Sequence, residues 1–457
     1  MPAPNPMDLP EVRYAASGAV HIAYQVLGGG STDILLARSG VYHLEIAWDH
    51  PLNARFLQEL SSLGRLIAFD KRGTGLSDRD VGVATLEDRI DDCRAVLDAV
   101  GSQRAILVAA RDAASMAVLF AATYPARTRG LVLMSGLAAG SWSPDFPWAP
   151  TPEQWETLIE RDRKDWGSPA HIDRLTAEVA PSRTDDGDFK RWLGRLVRNG
   201  ASPAAGAALA RMNMAIDLRP TLHAVHVPTL VVHPAGDRSV SVEHGRYLAT
   251  HIPGARLLET PGRDHLFWVS DEQTTVVFDE IRRFIHGLPD SLEPERVLTT
   301  VLFTDIVGST RQASEMGDRA WGALLSRFLE GAQAETTRFR GTTIKTTGDG
   351  ILAIFDGPTR AVRCASALRE QARAAGLELR AGLHTGECIL KDADVQGIAV
   401  HVAARISREA ADGEILVSST VRDLSVGSEV HFTDRGPRRL KGVPGEWRVF
   451  SADFVGP

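Results

Sequence analysis

Through the first third of the chain, short apolar runs alternate with segments of helical period. Ile34–Ala37, Leu66–Phe69, Ile106–Ala109 and Leu131–Met134 read as strands buried on both faces, with Leu230–His233 as a later one. Leu86–Val100 and Ser115–Thr123 carry helical spacing between them. This alternation predicts a mixed, mostly parallel sheet with helices on both faces. From about residue 140 to 219 the rhythm gives way to a stretch rich in Trp, Pro and charge, with helical pieces at Pro152–Asp165 and Phe189–Asn199. It reads as an inserted helical cap. The segment LPDSLEPER, residues 288–296, sets prolines and charges between apolar runs and reads as a linker.

The second half follows a different order. VLTTVLFTDIVGST predicts a strand, Val297–Thr304, that ends on Asp305 and turns through Gly308. A helix, Asp318–Arg340, precedes two strands, Thr342–Thr347 and Ile351–Phe355, joined through Gly348–Asp349–Gly350, a strong hairpin signal. A helix at Pro358–Ala375, a strand at Glu378–Thr385, a helix at Gly397–Ala411 and a strand at Ile415–Val417 complete the pattern. The order β-α-β-β-α-β predicts an α+β ferredoxin-like unit, an antiparallel sheet with helices on one face. The expected domains are 1–287, with the cap inside it, and 297–457.

A length of 457 residues exceeds one ordinary core, in keeping with two domains. The chain is 44% hydrophobic and 24% charged, which is neither disordered nor membrane-like. A net charge of −7 argues against a general nucleic-acid binder. Cys93, Cys364 and Cys388 are far apart, form no close-spaced metal motif and fit a reducing cytoplasm. The opening MPAPNPMDLPE lacks the basic-then-apolar pattern of a signal peptide. The longest apolar run, Ala113–Tyr124, is too short to span a membrane and suits a buried helix. A cytoplasmic location, with no membrane span and no nucleic-acid partner, is the expectation.

Asp305 and Asp349 fall at a strand end and a hairpin tip, where aspartates are ordinarily solvated turn formers. The predicted sheet order sets the two side by side. Two hard oxygen ligands with open coordination suit Mg²⁺ or Mn²⁺ holding a triphosphate. The turn through Gly308 and Ser309 opens a helix whose amides face phosphate oxygens. His401 and Arg405, four apart, share a helix face, although Arg405 also stands four before Glu409 as in an ordinary surface pair. FTDIVGST, KTTGDGILAIF and GLHTGE, in this order and spacing, resemble the class III nucleotide cyclase catalytic domain over about 297–450. The resemblance implies an adenylate cyclase that converts ATP to cyclic AMP in a homodimer, with two Mg²⁺ or Mn²⁺ ions per site. Asp305, Asp349 and the Ile306 carbonyl match its metal ligands. Lys345 and Asp394 match the pair that selects adenine, Arg405 the arginine of the transition state, and Lys441 a phosphate contact. His401 departs from the family, standing where most members carry an asparagine that orients the ribose. Four residues of extended strand span about 13 Å. Lys345 and Asp349 are therefore awkward for one compact site in one chain, which suits the head-to-tail dimer that the resemblance implies.

In the first half, FDKRGTGLSDR, LFAATYPARTRGLVLMSG, PTLVVHPAGDRSV and PGRDHLFWV resemble an α/β-hydrolase over about 12–287. The resemblance implies Asp237 and His265 as acid and base of a triad, with an oxyanion donor near Ser39 and Gly40. The elbow that should read G-x-S-x-G instead reads Ala109-Ala110-Arg111-Asp112-Ala113. An arginine stays protonated and is no acyl nucleophile. Alanines in place of both glycines predict a weakened turn. Ser115 lies a helical turn further on, and Asp112 is one residue out of register. The expectation is a pseudo-hydrolase in which Arg111 lies close to Asp237 or His265. Its covered pocket suits a small-molecule ligand that regulates the cyclase, with a dimerisation or stability module as the alternative. Two other readings stay open: a working ester hydrolase with a vestigial cyclase, and a binding protein in which both domains are degenerate. The near-complete cyclase positions and the missing serine favour the first.

Overall fold

The five apolar runs of the first half form the centre of a single sheet in the computed structural model, which describes residues 9–82, 84–289, 296–391 and 394–454. Its strands are β1 (Arg13–Ser17), β2 (Val20–Leu27), β3 (Asp33–Ala37), β4 (Arg65–Phe69), β5 (Ala105–Ala110), β6 (Thr128–Met134), β7 (Thr229–Pro234) and β8 (Arg256–Thr260). They lie in the order β1-β2-β4-β3-β5-β6-β7-β8. All pairs from β4 to β8 are parallel, and β1 and β2 are antiparallel. The helix Ala113–Thr123 is buried on nearly every side, which is why its sequence is apolar all round. Between β6 and β7 stand four cap helices, Pro152–Lys164, Pro169–Val179, Gly187–Gly200 and Pro203–Ala215. Three of them open with Thr151, Ser168 or Ser202 accepting a backbone N–H and a proline at the first helical position.

The chain divides into two compact units between Pro294 and Glu295. Most of the expected linker, residues 290–295, lies outside the described residues. The second unit contributes β9 (Arg296–Ile306), β10 (Thr342–Thr346), β11 (Ile351–Phe355), β12 (Leu379–Lys391), β13 (Asp394–Gln396), β14 (Ile415–Ser418), β15 (Val430–Arg438) and β16 (Trp447–Phe454). The sheet runs β10-β11-β9-β12-β14-β16-β15, with β13 paired to β12. Its first four strands thus keep the ferredoxin-like arrangement, β9 lying between β11 and β12.

The helices are not confined to one face. Leu302, Ile306, Ile351 and Ala353 pack with residues of the helices Asp318–Arg338 and Pro358–Ala374. The alternate positions Val301, Phe303, Leu352 and Ile354 pack instead with Ala399 and Ala403 of the helix Ile398–Glu409. Because strand side chains alternate in direction, this third helix covers the opposite face. It sits there on a bare stretch of backbone. A Cβ added at Gly382 of β12 would fall 2.1 Å from the Ser407 nitrogen and 2.7 Å from the Ala403 carbonyl oxygen. Among the described residues, no helix is long and apolar enough to cross a membrane.

Gly382→Ala is expected to lower the stability of the C-terminal unit by about 1–3 kcal/mol through overpacking. Its denaturant midpoint measures this; an unchanged midpoint would contradict the direct seating of the helix on β12.

Candidate functional site

The site of the second unit is built where β9 ends. Ile306 closes the strand, Gly308 takes a left-handed conformation (φ 66°), and Ser309 starts the helix Ser309–Met316. The β10–β11 hairpin is drawn against this end by a close approach of backbones. A Cβ at Gly350 would lie 1.8 Å from the Thr304 carbonyl oxygen and 3.1 Å from the Asp305 nitrogen. The Ile351 N–H donates to Thr304 Oγ1 at 3.0 Å. Asp349, next to Gly350, is therefore brought beside Asp305, and both are half-buried. Arg380 joins them: it faces Asp305 across the β9–β12 pairing and donates from Nε to Asp305 Oδ2 at 2.8 Å. The sequence offered only a charged residue at the start of an apolar strand, and the cross-strand register that aims Arg380 at Asp305 is not written there.

A second group forms on β10 and β13. Lys345 Nζ donates to Asp394 Oδ1 at 2.9 Å, and this bond holds the Asp394 carboxyl below its ordinary value. His401 and Arg405 stand one turn apart on the helix Ile398–Glu409, exposed and half-buried respectively. Glu409 forms no ion pair with Arg405, and no other carboxylate among the described residues does so. Lys441 is exposed in the loop between β15 and β16, and among the described residues it makes no hydrogen bond or ion pair with the other site residues. Within one chain the structure thus pairs Asp305 with Arg380, beside the hairpin tip of Asp349, and pairs Lys345 with Asp394.

In the first unit, Arg111 occupies the turn between β5 and the buried helix. It holds φ at 48°, a conformation that strains any residue with a Cβ. The sharp elbow is therefore kept, contrary to the expectation drawn from its alanines. Ala109 and Ala113 are completely buried, so a methyl group is small enough for both flanking positions. His265 Nδ1 lies 2.8 Å from Asp237 Oδ2, which also accepts from Ser135 Oγ at 2.8 Å. Burial alone would raise the Asp237 carboxyl, but His265 and Ser135 outweigh it and hold it down at about 2. Arg111 is not a partner of Asp237. Its carboxylate neighbour is Glu178 of the cap, at 3.7 Å, while it shares with His265 the lining of a cavity of about 220 Å³. Asp112 has an unforeseen place. Its Oδ1 accepts the Gly40 N–H at 2.7 Å, and its Oδ2 accepts from Lys71 Nζ at 2.7 Å, with Arg89 at 4.0 Å. The amide expected to serve as an oxyanion donor thus already carries an anion.

Residues 293–451 match the family model of the adenylate and guanylate cyclase catalytic domain. The C-terminal unit belongs to this cyclase family. The chain is 30% identical over 157 residues to a putative adenylate cyclase of Rhizobium meliloti, covering 32% of this chain and 27% of that protein. It is 31% identical over 157 residues to a pH-sensitive adenylate cyclase of Mycobacterium tuberculosis, covering 33% and 39%. The chain therefore spans well under half the length of either relative. Residues 54–269 match the serine aminopeptidase S33 model. A bromoperoxidase from Bacillus anthracis superposes with a TM-score of 0.54 at 20% identity, covering 61% of this chain and all of that one. This likeness shows that the N-terminal unit has the α/β-hydrolase fold.

The donor set of the cyclase domain suits a hard divalent cation. Asp305 at the strand end and Asp349 at the hairpin tip packed against it are carboxylates, the Ile306 carbonyl closes the same strand, and no group of three or more His, Cys, Asp or Glu among the described residues forms an all-protein cage. Such a site leaves coordination positions for phosphate oxygens and water.

In the N-terminal unit, burial would raise the Asp112 carboxyl, but Lys71 and Arg89 hold it at about 2, below its unfolded value of roughly 4. Its stabilising contribution is thus present above pH ~4 and lost as the pH falls toward 2. Asp112→Asn is expected to cost on the order of 3–5 kcal/mol at pH 7, because buried cations lose their partner. Its deficit relative to the natural protein is expected to shrink between pH 4 and 2. Denaturant unfolding at several pH values measures this; a pH-independent deficit would contradict the charge pairing.

Proposed function

We propose that the C-terminal unit is an adenylate cyclase that converts ATP to cyclic AMP and pyrophosphate in a head-to-tail homodimer, and that the N-terminal unit is a pseudo-hydrolase that regulates it. The observation that carries the cyclase reading is the juxtaposition of Asp305 and Asp349 by the Gly350 contact, in a domain of the cyclase family. Asp305, Asp349 and the Ile306 carbonyl would hold two Mg²⁺ or Mn²⁺ ions. When bound, these would acidify the ribose 3′-hydroxyl and offset charge on the departing pyrophosphate.

The chain's own residues supply the remainder. The amides of Gly308 and Ser309 receive phosphate oxygens at the helix start. Arg380 fixes one Asp305 oxygen and leaves the other for a cation. Lys345 and Asp394, already 2.9 Å apart, present a donor and an acceptor to the N1 and 6-amino edge of adenine. In-line attack of the 3′-hydroxyl builds charge on the α-phosphoryl oxygens, and a planar guanidinium such as that of Arg405 answers it through two parallel hydrogen bonds. His401, one turn earlier, orients the ribose, and Lys441 meets the phosphates. Arg405 has no carboxylate partner among the described residues, which supports its use by a site completed across the dimer. Arg111 at the elbow and the Asp112 carboxylate on Gly40 support the pseudo-hydrolase reading, since nucleophile and oxyanion donor are both lost. A chain with these parts acts in the cytoplasm, where ATP is available.

Asp305→Ala is expected to reduce cyclic AMP formation by about 100-fold or more with the fold intact, and ATP is expected to be used in preference to GTP, whose guanine edge reverses the donor and acceptor. Product quantification with each nucleotide tests both; a full-rate Asp305→Ala protein or a GTP preference would refute the assignment.

Mixing inactive Asp305→Ala and Arg405→Ala proteins is expected to restore activity, because a mixed dimer holds one intact site. No recovery despite demonstrated subunit exchange would exclude shared sites.

A further inference from the structure

The cavity of the N-terminal unit contains positive charge that the protein does not balance. Arg38, at β3's end, is only 9% exposed, yet its hydrogen bond goes to the neutral Asn53 Oδ1 at 3.0 Å. Its guanidinium lies over the rings of Tyr42 and Phe56, 4.7 and 4.9 Å from their centroids. No carboxylate among the described residues forms an ion pair with Arg38, so a buried cation stands without a counter-charge. Arg111 lines the same cavity, and its acidic neighbour Glu178 is 3.7 Å away and already accepts from Ser239 Oγ at 2.9 Å. The two acids on the cavity wall are taken: Asp112 by Lys71, and Asp162 by Arg174 at 3.3 Å.

The remaining wall is apolar in a specific way. Trp155, Trp166 and Trp192 each donate their indole N–H to a backbone carbonyl, of Gly140, Ala201 and Ile46, and so offer ring surface to the cavity. A volume of about 220 Å³ suits a small molecule and not a long-chain lipid. For comparison, a dry cavity of ~150 Å³ accepts benzene.

We propose that this cavity binds a hydrophobic monocarboxylate of about the size of octanoate, with its carboxylate on Arg38 and Arg111 and its tail against the tryptophans. Arg111 at the elbow replaces the atom that would attack an acyl group with one that binds an acid. The bound acid is the kind of molecule an esterase of this fold would release, so the site changes from producing such a product to recognising it. The proposal deepens the regulatory reading of this unit and rests on it. Because binding is measured by fluorescence and not by cyclic AMP output, the failure of either is distinguishable from the failure of the other.

The test titrates octanoate and its neutral isostere 1-octanol into the full-length protein and follows tryptophan fluorescence. Octanoate is expected to give a saturable change and to bind at least tenfold more tightly than 1-octanol. Arg111→Met is expected to remove that preference while leaving 1-octanol binding unchanged, and Arg38→Met to do the same where it folds. Equal affinity for the two probes, no octanoate binding, or a preference that survives Arg111→Met would overturn the proposal. Turnover of 4-nitrophenyl octanoate by the natural protein would instead overturn the pseudo-hydrolase reading beneath it.

Discussion

The contact of the Gly350 backbone with Thr304 and Asp305 is the constraint on which the cyclase domain depends. No side chain fits there, since a Cβ would lie 1.8 Å from a carbonyl oxygen. The absence of a side chain lets the hairpin tip come flush with the end of β9, which sets Asp349 and Asp305, from distant parts of the chain, on neighbouring backbone. Arg380, aimed by the long pairing of β9 with β12, holds the Asp305 carboxylate by an ion pair. Gly382 of β12 repeats the device, seating the helix of His401 and Arg405 directly on the sheet. Close backbone approach thus positions both the strand end that carries Asp305 and the helix that carries Arg405.

The N-terminal unit keeps the hydrolase fold with different residues at two of its key positions. The strained elbow, the Asp237–His265 pair and the cap over the cavity persist. At the two points where hydrolysis needs a nucleophile and an empty oxyanion donor, the chain places a guanidinium and a carboxylate. Asp112 is stable in that role because Lys71 and Arg89 surround it in a region closed to water. A developing oxyanion would meet a fixed negative charge where this fold requires a positive dipole. The same stretch of chain leaves Arg111 lining a largely apolar cavity, an arrangement that suits binding an anion better than attacking an acyl group.

Much of this was legible in the sequence, and the omissions have physical reasons. Strands buried on both faces, such as β3, β5 and β7, announce themselves as apolar runs. Edge strands such as β8, with Arg256 and Glu259 in five residues, and β15, with Asp434, Arg435 and Pro437, do not, because half their surface faces water. The cap helices Pro169–Val179 and Pro203–Ala215 carried a usable signal in Ser168-Pro169 and Ser202-Pro203, a capping residue followed by the residue best suited to a first helical position. Side-chain partnerships were less accessible. The Lys345–Asp394 bond was in reach through the family resemblance, whereas Arg380 on Asp305 and Asp112 on Gly40 depend on register and on burial, neither of which a linear pattern encodes. The elbow was misjudged for a related reason: a buried alanine satisfies a tight turn when its surroundings leave room for one methyl group.

The central claim is that the chemistry of this chain resides in its C-terminal unit. The most direct measurement incubates the full-length protein with ATP and either Mn²⁺ or Mg²⁺ and resolves the products by mass spectrometry. Cyclic AMP and pyrophosphate in equal amounts are the predicted result. ADP or AMP without a cyclic product, or no product with either metal at concentrations where the chain is dimeric, would contradict it.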